Sequence, residues 1–159
     1  MPNDPTNLAR ALLVLQEAGL IELKDGGSAV STEADVLPSS KVTVTPVAAE
    51  QTPIQLKSVD ASIVNNDFLE DAGLDPASAL FQDDPPDSEA AAPYINVWVA
   101  RAEDKDDPDL AKLVEISHSD EVVAAEQKAS GDTAVIKDNS PEELQEILSG
   151  LEDDIRNAS

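Results

Sequence analysis

Residues 2–19 read PNDPTNLARALLVLQEAG, and the fold prediction starts from this stretch. Small polar residues and prolines come first, an apolar-rich run follows, and Gly19 closes it. This order predicts a helix with both ends marked, because Asp and Asn side chains cap free N–H groups and glycine readily ends helices. The helix face that is predicted to enter the core carries Leu8, Ala11, Leu12 and Leu15.

Short helices and strands alternate through the rest of the chain, and this alternation predicts an α/β fold. Further helices are expected at 32–37, 50–58, 66–72, 107–117, 119–129 and 140–155. Strands are expected at 41–45, 60–65, 94–101 and 133–136, and a short strand or an extended piece at 20–23. Between them, the acidic and proline-containing stretch QDDPPDSEAAAP at 82–93 predicts a linker.

The charge balance argues against several classes of function. The 159 residues include 33 Asp plus Glu against 10 Lys plus Arg, for a net charge of −23. A chain this acidic is repelled by phosphate backbones and anionic membrane surfaces, so no nucleic-acid partner is predicted. With no cysteine and one histidine, disulfides and thiolate or multi-histidine metal sites cannot form within these residues. The sequence holds no phosphate loop or dinucleotide fingerprint, and no cofactor is predicted.

The sequence also predicts that the chain is not an enzyme. It contains no nucleophile elbow, and its acidic runs lack the spacing and glycine of an EF-hand loop. These runs are interpreted as solvated surface. His118 stands at a helix junction between two serines, where a surface helix end is favoured over a catalytic base. No plausible pair of nucleophile and base is left.

Three polar residues interrupt or end apolar elements and are the candidate ligand contacts. Arg10 points out of an otherwise apolar helix, Asn65 ends a predicted strand, and Asn96 lies inside another. Open α/β sheets bind ligands at the carboxyl ends of their strands. Arginine can hold the carboxylate of an amino acid with two parallel hydrogen bonds, while amide oxygens accept from its ammonium. An asparagine that ends a strand is also a common turn former, and this alternative stays open.

Several segments resemble the NlpA lipoprotein family, the MetQ-type methionine-binding proteins of ABC importers. The resemblance runs with gaps from residue 2 to about residue 136. It is carried by PNDPTN…RAL at 2–12, VDA.IVN at 59–65, PYINV at 93–97 and RAEDKD at 101–106. It implies a two-lobed α/β fold of the periplasmic-binding-protein type (type II-like) that closes on free methionine.

By this resemblance, Arg10 binds the ligand carboxylate, and Asn65 and Asn96 contact the α-amino and carboxylate groups. Asn7 is a weaker candidate that supports the others. The implied partners are L-methionine or a related amino acid, and the permease and ATPase subunits of an ABC transporter. The implied location is extracytoplasmic, as a lipoprotein anchored to the cell membrane, although neither a signal peptide nor a lipobox cysteine is expected in these residues.

The resemblance further predicts that the chain is an incomplete lobe. Residues 1–81 are expected to form the second lobe without its first strand, and 82–93 an acidic linker. Residues 94–136 are expected to return to the first lobe, and 137–159 to add a C-terminal helix. The family's first lobe, which cradles the methionine side chain, has no counterpart here. Two functions stay open: a substrate-binding fragment of a methionine transporter, or a truncated remnant that binds nothing or only associates with a separately encoded first lobe.

Overall fold

The computed structural model describes residues 1–83 and 89–158. It divides into two compact units, one made of Met1–Tyr94 with Asn139–Ser159 and the other of Ile95–Asp138. The α-helices of the described residues are α1 (Pro5–Glu17), α2 (Thr52–Gln55), α3 (Leu69–Ala72), α4 (Pro108–Ser117), α5 (Asp120–Ala129) and α6 (Pro141–Ala158). Short 3₁₀ helices lie at Lys24–Gly26, Glu33–Asp35, Ala49–Gln51, Asn66–Phe68, Pro76–Ser78, Glu89–Tyr94 and Ala102–Asp104.

Helix α1 begins and ends where the sequence predicts. The Asp4 carboxylate accepts from the backbone N–H of Asn7 at 3.1 Å, which satisfies one of the free donors of the first turn. Pro5 occupies the first helical position, where its missing N–H costs no hydrogen bond. Gly19 follows the helix with φ of +69°, a left-handed conformation that glycine adopts without strain.

The core of the first unit forms where α1 packs against the segment that follows it. Its buried cluster is Leu8, Leu12, Ile21 and Leu23, with Met1, Leu13, Leu15, Val36 and Val44 packed partly buried against it. Gln16 joins the two segments, because its amide donates to the Gly26 carbonyl at 2.7 Å and accepts from the Leu23 N–H at 2.8 Å. The predicted apolar face of α1 is therefore confirmed as the core-facing side.

The strand predictions at 41–45, 60–65, 94–101 and 133–136 are wrong for the described residues, and residues 20–23, expected as a short strand or an extended piece, form no strand. The described residues hold two isolated bridges, Leu23 with Val36 and Pro2 with Val47, and of these four residues only Leu23 lies in a predicted strand. Alternating apolar residues favour extended backbone, but a strand also needs a neighbour to complete its hydrogen-bond ladder. Around residues 20–23 those hydrogen bonds go to loops instead: Lys41 N–H donates to Leu20 and Leu37 N–H donates to Glu22.

Most of the predicted helices are confirmed, and the shorter ones are shorter than expected. Helices α4, α5 and α6 match the predictions at 107–117, 119–129 and 140–155. Ser140 and Glu143 form a capping box at the start of α6, with hydrogen bonds of 2.7 and 3.2 Å. The helix expected at 32–37 contracts to a 3₁₀ turn, Glu33–Asp35. The helices expected at 50–58 and 66–72 are 3₁₀ turns that run into α2 and α3.

The predicted linker 82–93 falls partly outside the described residues. On its described sides, Asp83 forms an ion pair with Arg10, and Glu89–Tyr94 is a 3₁₀ helix. The first compact unit contains α1 to α3 and α6, and the second contains α4 and α5. The division into a lobe, a linker, a crossover segment and an added helix stays a prediction.

The second unit, residues 95–138, has no fully buried side chain. Apolar residues of its helices stay partly exposed, with Leu113 at 45% and Ile116 at 46%. His118 makes one contact within α4 and one with a residue beyond α5. The imidazole Nδ1 lies 3.0 Å from the Val114 carbonyl oxygen, and Nε2 lies 3.1 Å from the Lys137 carbonyl oxygen. His118 thus ends α4 as a surface residue, in keeping with its sequence position.

We expect His118 to titrate above its ordinary pKa of 6.5. Both ring nitrogens face carbonyl oxygens, and both can donate only in the imidazolium form, so these hydrogen bonds raise the pKa. The charges of Asp138 and Glu126 act in the same direction. A raised folded-state pKa stabilises the fold below the unfolded pKa, and this contribution is lost as the pH rises through the folded value.

The measurement is an NMR titration of the imidazole C–H signals, which belong to the lone histidine of the sequence. The unfolded chain in urea provides the reference. A folded-state pKa at or below that of the unfolded chain would contradict the two-carbonyl arrangement.

Candidate ligand-binding site

Hydrogen bonds between polar side chains link the start of α1 to Asn65, which precedes the 3₁₀ helix Asn66–Phe68. Asn65 Nδ2 donates to Asn7 Oδ1 at 2.9 Å, and Asn7 Nδ2 donates to the Asp4 carboxylate at 2.9 Å. Asp4 is fixed in turn by its capping bond to the Asn7 backbone. The three side chains therefore orient one another, and the Asn65 amide presents its nitrogen to Asn7 and its oxygen elsewhere.

That oxygen, Asn65 Oδ1, is buried without a hydrogen-bond partner among the described residues. Buried polar atoms are nearly always paired, because an unsatisfied one costs about 1–3 kcal/mol. An acceptor held in this way can take a hydrogen bond from a bound donor such as an ammonium group. Asn65 Oδ1 is therefore an acceptor of this region that has no partner among the described residues.

Arg10 lies one helical turn after Asn7 on α1, and its guanidinium is held from two sides. Its Nε donates to Asp83 Oδ2 at 2.7 Å, and its charge lies over the Tyr94 ring, 5.4 Å from the centroid. The Arg10 and Asp83 side chains are 31% and 29% exposed, respectively. An arginine that stacks over an aromatic ring gains cation–π attraction, and the N–H donors of its planar guanidinium stay free for other partners.

Tyr94 joins the site through its hydroxyl as well as its ring. The hydroxyl oxygen is buried without a hydrogen-bond partner among the described residues. Burial raises the pKa of Tyr94 above its ordinary value of 10.0, the Arg10 charge lowers it, and the Asp83 charge raises it. Both charges thus act on this one ring, as expected for a three-residue cluster of Arg10, Asp83 and Tyr94.

The cavity beside this cluster is small. It encloses about 40 Å³ and is lined by Arg10, Asp83 and Tyr94 with residues of α1 and Ala91. A volume of this size holds a water molecule, whereas small-molecule sites usually span about 300–1,000 Å³. The cluster of Arg10, Asp83 and Tyr94 therefore presents polar groups beside a cavity that is too small to enclose a ligand.

The structure brings three of the four predicted site residues to one region of the first unit. Asn7 and Asn65 share a hydrogen bond, and Arg10 follows Asn7 by three positions on the same face of α1. Asn96 belongs to the second unit, where it is exposed. The roles of all four in ligand binding stay predictions.

Sequence reasoning missed Asp4, Asp83 and Tyr94 as members of this region. Asp83 belongs to an acidic run that was interpreted as solvated surface, and it is 73 positions from Arg10. No local pattern links residues so far apart, so only the tertiary structure reveals this pair. Tyr94 does carry a signal, because it stands in the same Pro-Tyr-x-Asn segment as Asn96.

Comparison with solved structures defines the class of protein. The chain is similar to protein PG110 from Staphylococcus aureus, with 35% identity and a TM-score of 0.82 over 95% of this chain and 60% of that one. It is also similar to a periplasmic substrate-binding protein of an ABC transporter from Coxiella burnetii. There the identity is 37% and the TM-score 0.69, over 86% of this chain and 56% of that one. The fold is therefore that of the periplasmic substrate-binding proteins.

The sequence profile of the NlpA lipoprotein family matches residues 1–138, and the chain belongs to this family. A curated relative is the D-methionine-binding lipoprotein MetQ of Yersinia pestis, which is 40% identical over 139 residues. That match covers 85% of this chain and 49% of the relative. The chain thus spans about half the length of the curated relatives that it matches. None of the described helices is long and apolar enough to cross a membrane.

Proposed function

We propose that this chain supplies the carboxylate- and ammonium-binding part of a substrate-binding protein for methionine or a related amino acid. Membership of the NlpA lipoprotein family and a methionine-binding relative at 40% identity support this proposal. The permease and ATPase subunits of an ABC importer are then its partners, and its place is extracytoplasmic, at the membrane. The protein binds and delivers its ligand and catalyses no reaction.

The observation that carries the proposal is the unpaired Asn65 Oδ1 beside Asn7, one turn before Arg10. An amino acid has a carboxylate for Arg10 and an ammonium group for the amide oxygen. Both contacts match the chemistry of their groups, since guanidinium donates to carboxylates and a bare amide oxygen accepts from ammonium. The role of Asn96 in contacting these charged groups rests on the family resemblance alone.

Full enclosure of the ligand is proposed to require residues that match the other half of the relatives. A cavity of about 40 Å³ cannot enclose methionine, and binding sites usually bury most of the ligand surface. Whether those residues belong to the same polypeptide or to a separate one does not change this requirement. The polar contacts of α1 and Asn65 then form one wall of the closed site.

Calorimetry with L- and D-methionine tests the proposal on this chain alone and after mixing with the complementary half of a relative. We expect Kd values weaker than micromolar for the chain alone, since one wall leaves most of the ligand in water. With the complementary half, we expect micromolar binding or tighter, about −8 kcal/mol or better. Micromolar binding by the chain alone would show that the second half is not needed.

Two methionine derivatives separate the proposed contacts. Methioninol keeps the ammonium and loses the carboxylate, and N-acetylmethionine keeps the carboxylate and loses the ammonium. Both should bind at least tenfold more weakly than methionine to the assembled protein. In the variant Asn65→Leu, which has no amide oxygen, methionine and N-acetylmethionine should bind with similar affinity. A discrimination that is unchanged in this variant would contradict the role of Asn65.

A second candidate function is a structural remnant that associates with a separate first lobe without binding a ligand. It is favoured by one observation, namely that the Arg10 guanidinium already has a carboxylate partner in Asp83. The same mixing experiment distinguishes the two. Association with the complementary half without any methionine-dependent heat would support the remnant and exclude the binding protein.

A further inference from the structure

We propose that Asp83 is an internal carboxylate that occupies the ligand position of Arg10, so that an incoming carboxylate must displace it. This inference rests on the proposed function, in which Arg10 receives the carboxylate of an amino acid. The Asp83 carboxylate then competes with the ligand for Arg10 and lowers the apparent affinity of the site. Asp83 reaches Arg10 from a position 73 residues further along the chain.

The geometry of the contact is that of a bound carboxylate. Asp83 Oδ2 accepts from Arg10 Nε at 2.7 Å, at the short end of the range for a charge-assisted hydrogen bond. A ligand carboxylate that forms two parallel bonds to the Nε–H edge of the guanidinium would use this same donor. Asp83 offers the same chemical group at the same donor, so both cannot hold the Nε–H at once.

The surroundings of the pair favour its persistence in the absence of a ligand. Both side chains are about 30% exposed, so solvent screens their attraction only in part. The Tyr94 ring lies against the guanidinium and limits its motion. The cavity beside the three residues has room for a water molecule but not for an amino acid, so it offers no second place for a ligand carboxylate beside the pair.

The rise in the pKa of Tyr94 caused by the Asp83 charge is consistent with this cluster. Asp83 borders the acidic stretch at 84–88, which lies outside the described residues. Competition by an internal group lowers the apparent affinity by the fraction of molecules in which the site is free. Occupancy of the guanidinium by Asp83 therefore makes the site respond only to higher ligand concentrations.

The first test follows the Arg10 Nε–H signal by ¹⁵N NMR, because the sequence contains only three arginines. In the unmodified chain, we expect slow exchange of the Arg10 Nε proton with solvent. Asp83→Asn should accelerate this exchange about tenfold, since the amide is a much weaker acceptor than the carboxylate. Glu17→Gln, which removes an equal charge from the border of the same cavity, should leave it unchanged. Unchanged exchange in Asp83→Asn would overturn the proposal.

The second test measures competition with sodium acetate, a bare carboxylate that makes no use of a methionine pocket. The acetate concentration that half-shifts the Arg10 Nε–H signal should fall about five- to tenfold in Asp83→Asn. It should stay the same in Glu17→Gln, which controls for the lower net charge. Equal acetate midpoints in Asp83→Asn and the unmodified chain would overturn the inference.

Because the acetate experiment probes only Arg10, failure of the proposed function can be distinguished from failure of the inference about Asp83. If the assembled protein binds no methionine but acetate still competes with Asp83, the result supports the internal contact and contradicts the proposed transport function. If the unmodified protein and Asp83→Asn bind methionine equally well after assembly, the result contradicts the competition by Asp83 and supports the proposed function.

Discussion

Replacing Arg10 with alanine is expected to weaken methionine binding by the assembled protein by roughly 2–5 kcal/mol. The guanidinium is proposed to hold the ligand carboxylate, and its removal leaves that charge desolvated without a partner. Arg10→Lys should recover only part of the loss, because an ammonium group cannot form two parallel bonds in one plane. Calorimetry on the unmodified protein and both variants, each mixed with the complementary half, provides the measurement.

The same substitution should hardly change the stability of the fold. Alanine is the best helix former, and an ion pair that is about 30% exposed contributes about 0–1 kcal/mol. Arg101→Ala is the matched control, since Arg101 also pairs with acidic side chains but at a far more exposed position. Equal methionine affinity for the unmodified protein and Arg10→Ala, at unchanged melting temperature, would identify Arg10 as an ordinary helix residue.

Leu12→Ala should lower the free energy of unfolding by about 2–5 kcal/mol, a large part of the stability of a small domain. Leu12 is 0% exposed and packs in the cluster of α1 with Ile21 and Leu23. Truncation removes buried apolar surface and leaves a cavity that the short surrounding segments can fill only in part. Urea unfolding followed by circular dichroism at 222 nm measures the change.

Leu80→Ala is the control for this prediction, because it makes the same chemical change at a side chain that is 95% exposed. Its free energy of unfolding should differ from that of the unmodified chain by less than about 0.5 kcal/mol. Circular dichroism is preferred to tryptophan fluorescence, since the lone Trp98 lies in the second unit and reports on a different region. Equal losses for Leu12→Ala and Leu80→Ala would show that α1 is not the core element of the first unit.

Helices with marked ends were predicted accurately because their determinants are local. The Asp4 cap, Pro5 at the first position and Gly19 at the end all act within a few residues of α1. The capping box of Ser140 and Glu143 likewise places the start of α6. Such signals survive in any tertiary context, since each satisfies backbone groups of its own helix.

Strands were predicted wrongly because their determinants are not local. Residues 60–65 were predicted to form a buried strand that ends in a polar residue, but a strand depends on a neighbour that this short segment does not specify. In the structure, Ser62 donates to the Thr52 carbonyl at 2.8 Å and Asn65 donates to Asn7, so side chains rather than a ladder anchor this segment. The strand prediction for this segment was therefore wrong, because its contacts are made by its side chains with residues elsewhere in the chain.

The candidate site shows the same division between local and long-range information. From its sequence, this protein was predicted to have a capped first helix with an apolar core face, an acidic surface, and Arg10, Asn65, Asn96 and Asn7 as its polar candidates. Only the tertiary structure decided that Asn65 contacts Asn7, that its oxygen is unpaired, and that Asp83 holds Arg10. Capping and helix faces depend on neighbours three or four positions away, whereas these contacts span 58 and 73 positions. Contacts across such separations depend on how the whole chain packs, and no short pattern encodes them.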